Sequence, residues 1–485
     1  MADNSMNVVG LEISTSAAKA ILFSPTEGVI DEVSFRYSKE VTDTLCIDPE
    51  RVWTAALGAL KKVVHRTDRE ISAIGLGSAW HSLLLLDANR TPISPIYTWA
   101  DVSAGPTVDP FKTDLNFSRE YYQKTGHMVH AMYPYWKYYH LQKTAPGLIR
   151  KVRYISTQVE YVFEGLTGEA GVSKCIASAS GFFNIHTLDW DQDLLAMVNL
   201  EPNQFSPLRE APYWAGLKDQ IAKEVGLPVD LPVTVGFSDG AMNQVGIGGA
   251  RAGIMSFSVG TSAAIRMVSS EPKIPDTPST WCYYLYNQMR LIGASTQGAC
   301  SCLDWFLNNL PTELRSYDRF EAEAATVDIT QAPFFLPFLF GERCPGWEDR
   351  RLGGFLELRP NHRLADLYFA ILEGILFNVY HCYQLLTLLA SEPKQIVISG
   401  GIMNSPFWLQ MAADIFDREL LTTGVTNDST VGAAIIGLAA VGGLKQIADF
   451  TPELRRATPP PSKNRSLYQE RFQRYLELYR LTTTV

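Results

Sequence analysis

The sequence lacks the motifs of several common nucleotide- and metal-binding proteins. It contains no GxxxxGK(S/T) loop, so a P-loop mechanism is not indicated. Its 7 cysteines form no CxxC pair. Cys300 and Cys302 are separated by a single residue, which is a poor spacing for zinc. We therefore expect reduced thiols in a cytosolic protein.

Basic residues are in deficit. The 485 residues include 42 Lys and Arg against 51 Asp and Glu, which gives a formal net charge of −9. A general binder of nucleic acid or of an anionic membrane needs a basic surface, so we expect no nucleic-acid partner and no membrane partner. A local phosphate site built from backbone amides remains compatible with this charge.

Targeting and membrane-spanning signals are also missing from the sequence. The first residues lack the basic start and the long apolar core of a signal peptide. The longest apolar run, 431–444, contains several glycines and is shorter than the ~20 residues that a membrane span needs. We interpret this run as a buried helix and expect a cytoplasmic protein.

Two segments half a chain apart share a pattern of apolar strand, polar turn and apolar strand. They are residues 7–23 and 254–268, and both contain the tetrapeptide Thr-Ser-Ala-Ala, starting at Thr15 and at Thr261. The repeat suggests two related domains, with a chance match as the alternative. Elsewhere, strand-like and helix-like patterns alternate, which points to α/β layers. Residues 49–65 have helical spacing, with Trp53 and Leu57 on the expected buried face together with Leu60 and Val64.

The two turns are rich in small hydroxyl residues and can bind phosphate. Such a turn presents outward amides and hydroxyls without bulk, and two of them facing each other would hold a polyphosphate. Glu12, which ends the first strand, can bind Mg²⁺ through water, because Mg²⁺ prefers oxygen ligands and keeps much of its hydration. An ordinary hairpin with a solvated Glu is the simpler interpretation of either turn taken alone.

Asp239 lies where an apolar strand gives way to a predicted helix. A carboxylate at that point can accept a proton from a substrate hydroxyl and so act as a general base. A helix N-cap is an equally good interpretation, since Asp is favoured there, and the two roles are compatible.

A group of aromatic and polar residues suits a polyol ligand. Trp80, His81, Trp99 and Asp101 combine rings that cover an apolar face with polar tips that bind hydroxyls. A core Trp beside a turn Asp is the more common local situation.

Two glycine-containing loops are further candidates. Gly400 and Gly401 follow a predicted strand and allow close approach of a flat ligand such as adenine, although a plain turn explains them as well. Arg343, in the second loop, can pair with phosphate or with a carboxylate at a domain interface, and we favour the structural pairing.

Taken in chain order, these segments resemble the FGGY carbohydrate kinases over nearly the whole chain. The matching segments are 10–19 for the first phosphate motif, 236–241 for the catalytic base, 256–262 for the second phosphate motif, 399–405 for the adenosine motif, and the further signatures 335–343 and 372–378. Each is weak alone, but the ordered set is specific.

The resemblance implies an α/β fold of two actin-like ATPase (ribonuclease H-like) domains with a cleft between them. Residues 1–248 would bind mainly sugar and carry the base Asp239, and residues 249–485 would bind mainly ATP. Mg²⁺ would be held by Glu12 through water and by Asp239, and the chain would form a homodimer. The residues implied for ATP and its phosphates are Ser14, Thr15, Ser16, Lys19, Gly260, Thr261, Ser262, Gly400, Gly401 and Asn404.

Within the family, the segments 80–82 and 98–101 look most like gluconate kinases and then xylulose kinases. They imply a gluconate-type or D-xylulose-type substrate. Five departures from the family pattern bear on this expectation. Glu12 replaces the usual Asp and Ser14 the usual Gly. Ala79 replaces a common polar residue, Ser103 replaces a common Arg, and the loop at Gln297 is altered. Ser14 is expected to strain its turn.

Two other hypotheses stay open, and the departures at Glu12, Ser14 and the Gln297 loop motivate the first of them. One is a sensor that binds sugar or nucleotide on the same fold without turnover, because a site can keep its shape after losing its chemistry. The other is an actin-like assembly or chaperone ATPase. That second hypothesis explains the hairpins but not the segments around Trp80 and Trp99.

Overall fold

The computed structural model describes residues 6–37, 45–425 and 427–482. The first five residues, on which the expectation about a signal peptide partly rests, lie outside this range. The strands are β1 (Asn7–Ile13), β2 (Ala17–Ser24), β3 (Gly28–Arg36), β4 (Cys46–Ile47), β5 (Ile71–Ser78), β6 (Leu84–Leu86), β7 (Ile96–Tyr97), β8 (Tyr154–Ser156), β9 (Val172–Ser173), β10 (Phe183–Asn184), β11 (Asp189–Trp190), β12 (Leu208–Arg209), β13 (Trp214–Gly216), β14 (Pro232–Thr234), β15 (Phe237–Ser238), β16 (Ile254–Val259), β17 (Ala263–Ser269), β18 (Trp281–Tyr286), β19 (Met289–Ser295), β20 (Phe334–Leu336), β21 (Gly354–Leu356), β22 (Gln395–Gly400), β23 (Leu420–Thr422) and β24 (Arg455–Arg456).

The α-helices alternate with these strands along the chain. They are α1 (Pro49–Val64), α2 (Gly105–Thr113), α3 (Leu115–Thr125), α4 (Pro134–Thr144), α5 (Pro146–Ile149), α6 (Gln158–Thr167), α7 (Lys174–Ala177), α8 (Gln192–Met197), α9 (Asp219–Val225), α10 (Asp239–Gly246), α11 (Cys300–Asn308), α12 (Tyr317–Ala324), α13 (Leu364–Ala390), α14 (Pro406–Phe416), α15 (Asp428–Ala440) and α16 (Arg465–Leu481).

Two mixed sheets of seven strands each form the framework. The first has the order β13-β14-β5-β1-β2-β3, with β15 also paired to β5. The second has the order β18-β19-β17-β16-β22-β23-β24. In each sheet the strand before the polar turn is antiparallel to the strand after it and parallel to a strand on its other side: β1 to β2 and β5, and β16 to β17 and β22. The internal repeat predicted from the sequence is therefore present, whereas the boundary between residues 248 and 249 stays a prediction.

Helix α1 shows how the local sequence sets an element and its orientation. Asp48 caps the helix by accepting a hydrogen bond from the Glu50 amide at 3.0 Å, and Pro49 occupies the first turn. The most buried face contains Val52, Ala56, Ala59 and Val63. Leu60 and Val64 of the predicted face are buried with them, whereas Leu57 is only partly buried. The bulky Trp53 is left half-buried against Gly165 of α6.

Helix α13 is long and apolar enough to cross a membrane by length and composition alone. However, 83% of its most apolar window is buried within the protein. It packs against β20, β19 and β17 of the second half. We therefore assign α13 to the core.

Helix α15 joins the two halves of the molecule and positions the cleft. It follows the second sheet in sequence but packs on β1 and β5 of the first sheet and on α10. Glycines allow this approach: a β-carbon on Gly75 would lie 1.7 Å from the Ala433 carbonyl oxygen, and one on Gly432 would lie 1.9 Å from that of Met242. Substituting either glycine would force the halves apart. The apolar run 431–444 predicted as a buried helix is largely this element.

Candidate active site

Three adjacent strands deliver the predicted sugar, phosphate and base residues to one edge of the first sheet. In the parallel ladder, Ile13 of β1 and Ser238 of β15 both pair with Ser78 of β5. The segments that follow these strands are therefore neighbours: the turn 14–16, the pair Trp80-His81, and Asp239. The carboxyl edge of parallel strands is the usual place for a binding site in α/β folds.

Asp239 is the first residue of α10, and it is not the cap. The cap is Ser238, whose side chain accepts a hydrogen bond from the Ala241 amide at 3.2 Å. Asp239 Oδ1 accepts a bond from the Gly240 amide at 2.8 Å, and the residue stays partly exposed. Because Ser238 performs the capping, the carboxylate of Asp239 is available to a ligand.

The electrostatic surroundings suit Asp239 to proton transfer. Burial, followed by the negative charge of Glu12, raises the pKa of Asp239 to about 6. The positive charge of Arg266 and the backbone amides of Gly240 and Trp80 act in the opposite direction. A carboxylate with this pKa is ionised at neutral pH and is a stronger base than an ordinary Asp.

Glu12 is anchored by the other half of the chain. The side chain is 4% exposed, and its Oε2 accepts hydrogen bonds from Ser429 Oγ at 2.8 Å and from Thr430 Oγ1 at 2.6 Å. Both hydroxyls belong to the first turn of α15. The sequence analysis missed these two residues, and no local pattern marks them. The contacts fix the Glu12 carboxylate at the cleft near Asp239.

The first polar turn closes without glycine. The Ser14 amide and hydroxyl both donate to the Ala17 carbonyl, at 2.9 and 2.8 Å, and Ser14 does not have a positive φ. The expected strain at Ser14 is therefore wrong, because this turn does not use the left-handed region that favours glycine. Thr15 Oγ1 accepts a bond from Trp99 Nε1 at 2.8 Å, which ties the turn to a predicted sugar residue. Ser16 stays partly exposed at the turn.

Lys19 continues the same edge along β2. It pairs across the ladder with Glu12 and is partly exposed. In an antiparallel pair, directly opposed side chains lie on one face of the sheet. Lys19 therefore supplies a positive charge on the face of the sheet that carries Glu12.

The second turn and the predicted adenosine motif are also neighbours. Val259 of β16 pairs with Gly400 of β22, so the turn 260–262 and the segment 400–404 leave adjacent strands at the same edge. Thr261, Gly400, Gly401 and Asn404 are exposed, and Gly260 and Ser262 are partly exposed. Gly400 has φ 93°, and a β-carbon there would lie 2.3 Å from the Val259 carbonyl oxygen, so this position requires glycine.

A segment from the loop at Gln297 closes this second edge. The amides of Ala299 and Cys300 donate to the carbonyls of Thr261 and Gly260, at 3.1 and 2.9 Å. The Cys300 Sγ lies 3.2 Å from the position of a β-carbon on Gly401. Cys300 thus stands between the second turn and the adenosine motif.

The predicted sugar residues lie in an aromatic group. Trp80 stacks on His81 with ring centroids 5.9 Å apart and meets Tyr283 edge-on at 4.9 Å. The buried Nε1 of Trp80 has no partner among the described residues. His81 has φ 64°, and its Nδ1 lies 2.9 Å from the Ala179 carbonyl oxygen. A positive φ at a non-glycine residue is unusual and occurs preferentially at functional sites.

His81 is held in its neutral form. Burial lowers the pKa of its imidazole well below the ordinary value. Since Nδ1 faces a carbonyl, the proton resides there and donates to Ala179, which leaves Nε2 as an acceptor. A neutral imidazole with a free acceptor is suited to a sugar hydroxyl.

Asp101 and the buried Lys137 form a second polar element of the group. Asp101 is 8% exposed, and its Oδ1 accepts a bond from the Ser103 amide at 3.0 Å. Burial lowers the pKa of Lys137 to about 7, and the negative charge of Asp101 opposes that shift. Lys137 Nζ donates to the carbonyl oxygens of Ala131 and Met132.

The structure does not show the pairing of Arg343 with an interface carboxylate that we favoured from the sequence. Its guanidinium carbon lies 5.1 Å from the Trp99 ring centroid in a cation–π contact. Its Nε is buried without a hydrogen-bond partner, and no described carboxylate forms an ion pair with it. Burial lowers the pKa of the Arg343 guanidinium, and the nearby side chains of Tyr133 and Tyr283 oppose that shift. The hydroxyls of these two tyrosines are 2.9 Å apart. No motif marked these tyrosines in the sequence.

Comparison with known proteins assigns the whole arrangement to one family. Residues 7–246 match the N-terminal domain of the FGGY family of carbohydrate kinases, and residues 255–441 match its C-terminal domain. The chain is 28% identical to gluconokinase of Bacillus subtilis (strain 168) over 470 residues, 93% of this chain and 91% of that protein. It is 26% identical to xylulose kinase of Escherichia coli (strain K12) over 487 residues, 97% and 98% of the two chains.

Solved structures agree with these matches. The crystal structure of gluconate kinase from Lactobacillus acidophilus superposes with a TM-score of 0.93 at 26% identity, covering 99% of this chain and 98% of that one. The ligand-bound xylulose kinase from Lactobacillus acidophilus gives 0.91 at 25% identity, covering 99% of each chain. The actin-like, two-domain α/β fold expected from the sequence is therefore confirmed. Both domain matches and the shared fold show that this chain belongs to the FGGY family of carbohydrate kinases, which phosphorylate sugars with ATP.

Proposed function

We propose that this chain transfers the terminal phosphoryl group of ATP to a hydroxyl of a small sugar or sugar acid of the gluconate or D-xylulose type. Asp239 serves as the general base. The observation that carries this proposal is the convergence of Asp239, the turn 14–16 and the pair Trp80-His81 at the ends of β15, β1 and β5. In this proposal, the three segments together supply the base, the phosphate-binding turn and the sugar-binding surface.

The aromatic group supports a polyol as the acceptor. Trp80 and Trp99 offer rings for its apolar face, while His81 Nε2 and the Asp101 carboxylate accept hydrogen bonds from its hydroxyls. Two relatives with nearly equal sequence identity to this chain, a gluconokinase and a xylulose kinase, support the same substrate range. Gluconate and D-xylulose are both rich in hydroxyl groups, and either would fit such a surface.

The reaction depends mainly on positioning. The sugar hydroxyl gives its proton to Asp239 as its oxygen bonds to the terminal phosphorus, and the bond from that phosphorus to the bridging oxygen of ATP breaks. Amides and hydroxyls of the turns 14–16 and 260–262, with Lys19, hold the phosphates. The segment 400–404 holds the adenosine. Aligning the reactants in this way removes much of the entropic barrier.

The residues at the cleft fit the Mg²⁺ that this chemistry uses. Glu12 and Asp239 bring two carboxylates together, and only one oxygen of Glu12 is engaged by the α15 hydroxyls. No third acidic, His or Cys side chain joins them among the described residues. Mg²⁺ commonly binds through one or two carboxylates, water and substrate phosphates, so Glu12 and Asp239 would hold it. When bound, it neutralises charge on the phosphates.

The departures that motivated a sensor leave the shape of the site intact. Ser14 closes its turn without strain, and Glu12 is fixed by two hydroxyl donors. The Gln297 Oε1 is buried and has no partner among the described residues, so it is open to a ligand. These contacts support an active kinase, and sugar-dependent turnover is the measurement that separates it from a sensor.

The pH dependence of turnover follows from the role of Asp239. Because the base must be ionised and its pKa is raised to about 6, we expect kcat/KM to fall about tenfold per pH unit below about pH 6 and to level off above about pH 7. The measurement is kcat/KM for the sugar across this range at saturating ATP. Thermal melts at each pH serve as the control for folding. A profile that stays flat through pH 6 would contradict this assignment.

Alkylation of Cys300 tests the position of ATP. Cys300 is partly exposed beside Gly401, and burial raises the pKa of its thiol to about 11, so iodoacetamide reacts with it slowly. With ATP at about ten times its Kd, we expect the labelling rate to fall about tenfold by occupancy alone. Peptide mass spectrometry over time measures this rate. The exposed Cys46 is the internal control and should label equally fast with or without ATP. Unchanged labelling of Cys300 would place ATP elsewhere.

A further inference from the structure

Arg266 reaches from the phosphate side of the cleft to the catalytic base. It lies on β17, the strand that leaves the turn 260–262. A β-carbon on Gly240 would lie 3.0 Å from Arg266 Nε and 2.3 Å from the Trp80 ring. The missing side chain at Gly240 thus leaves room for the guanidinium directly beside Asp239.

The guanidinium of Arg266 has unused hydrogen-bonding capacity. Nη1 donates to Ser258 Oγ at 3.2 Å, whereas Nε is buried and has no partner among the described residues. Burial lowers the pKa of Arg266, and the negative charge of Asp239 opposes that shift, but the two side chains make no direct ion pair. A buried donor without an acceptor costs free energy, and a ligand oxygen that accepts its hydrogen bond would remove that cost.

The position selects a phosphoryl oxygen as that ligand. Asp239 marks the reacting hydroxyl of the sugar, and the strand that carries Arg266 begins at the second phosphate turn. A guanidinium between these two points faces the place where the phosphoryl group passes from ATP to sugar. The planar fork of Arg matches phosphoryl oxygens and carries a permanent positive charge.

We propose that Arg266 is a further catalytic residue, which donates a hydrogen bond to a non-bridging oxygen of the transferring phosphoryl group. This inference rests on the proposed kinase function. The sugar oxygen forms the new bond to phosphorus, the bond to the bridging oxygen of ATP breaks, and the hydroxyl proton passes to Asp239. Arg266 forms no covalent bond and loses no proton; it stabilises the charge on the phosphoryl oxygens. Such donors commonly contribute about 10²- to 10³-fold in kcat.

Chemical rescue of Arg266→Ala tests this role. We expect kcat to fall about 10²- to 10³-fold with the KM for sugar changed less than about threefold. Guanidinium chloride at non-denaturing concentration should restore activity at least about tenfold, whereas uncharged urea should not. Because Arg266 lowers the pKa of Asp239, the acidic limb of the kcat/KM profile should move to higher pH in the variant. Arg251→Ala, at an exposed arginine of the same half, is the matched control and should behave as wild type.

The outcomes separate this inference from the proposed function. If wild type turns over and Arg266→Ala keeps more than about a third of its kcat, the role of Arg266 is overturned while the kinase assignment stands. If wild type itself turns over none of the sugars, both are overturned. Should Arg266→Ala fail to fold in thermal melts, Arg266→Gln and Arg266→Lys replace it. A fully active Arg266→Gln contradicts the inference, and a loss with Gln that Lys partly restores supports it.

Discussion

Replacing Asp239 with asparagine is expected to lower kcat by about 10²- to 10⁴-fold while the protein keeps its fold. The amide is the same size as the carboxylate and can still accept the Gly240 amide, and Ser238 still caps α10. What is lost is the ability to take a proton from the sugar hydroxyl. ADP release at saturating sugar and ATP measures the effect.

A matched control distinguishes chemistry from structure in this experiment. Asp219 also lies in the first turn of a helix, α9, but its carboxylate is exposed and pairs with Lys223 at 2.7 Å. Asp219→Asn should keep wild-type turnover. Asp239→Asn should still bind sugar in calorimetry and melt within a few degrees of wild type. Near-normal turnover in Asp239→Asn would remove Asp239 from the role of base.

Replacing Glu12 with glutamine is expected to lower activity about 10- to 100-fold and to raise the Mg²⁺ concentration needed for half-maximal rate. The amide oxygen of glutamine can still accept the Ser429 and Thr430 hydroxyls, so the loss is mainly one of charge. Because the charge of Glu12 raises the pKa of Asp239, the acidic limb of kcat/KM should move to lower pH. Mg²⁺ titrations and pH profiles of the purified variant measure both effects.

Thr430→Val is the control for the anchoring contact of Glu12. It removes one hydroxyl donor but keeps both carboxylates. We expect a loss of about 1 kcal/mol in the free energy of unfolding, without the shift to lower pH. An Mg²⁺ requirement and pH limb identical to wild type in Glu12→Gln would show that Glu12 is only an anchor between the halves.

The variants at Glu12 and Arg266 can be compared directly, because the expected shifts in their pH profiles are opposite in sign. Glu12 raises the pKa of Asp239 and Arg266 lowers it, so their neutral substitutions should move the acidic limb in opposite directions. A general loosening of the cleft would move both limbs in the same direction. The pair therefore tests whether electrostatics at Asp239 governs the profile.

The features that the sequence predicted well are local ones. The hairpins β1–β2 and β16–β17 were predictable because apolar strands flank short polar turns, and the shared tetrapeptide placed them in equivalent positions. Their ordered companions at Asp239 and Gly400 identified the family. Helix α14 also carries a local start signal in its sequence, since Ser405 caps it and Pro406 occupies its first turn.

The features that the sequence did not predict depend on contacts between distant segments. Ser429 and Thr430 reach Glu12 across more than 400 residues, and Arg266 approaches Asp239 only because α10 and β17 meet in the fold. Neither contact leaves a local pattern. The strain expected at Ser14 was wrong because backbone conformation in a turn depends on the turn type, which one residue does not determine.

The substrate itself depends on still finer detail. Identities of 28% and 26% to a gluconokinase and a xylulose kinase are too close to choose between them. A few contacts to hydroxyl or carboxylate groups decide such choices, each with a modest free energy. Arg343 over Trp99 and the hydroxyl pair of Tyr133 and Tyr283 are the contacts at which we expect this choice to be made.

The most direct test of the kinase assignment is ADP release with ATP and Mg²⁺ across gluconate, D-xylulose, L-ribulose and glycerol. We predict release that depends on sugar, that is selective for gluconate or D-xylulose, and that disappears in Asp239→Asn. ADP release that no compound in the panel stimulates, from a protein that melts cooperatively, would contradict the assignment.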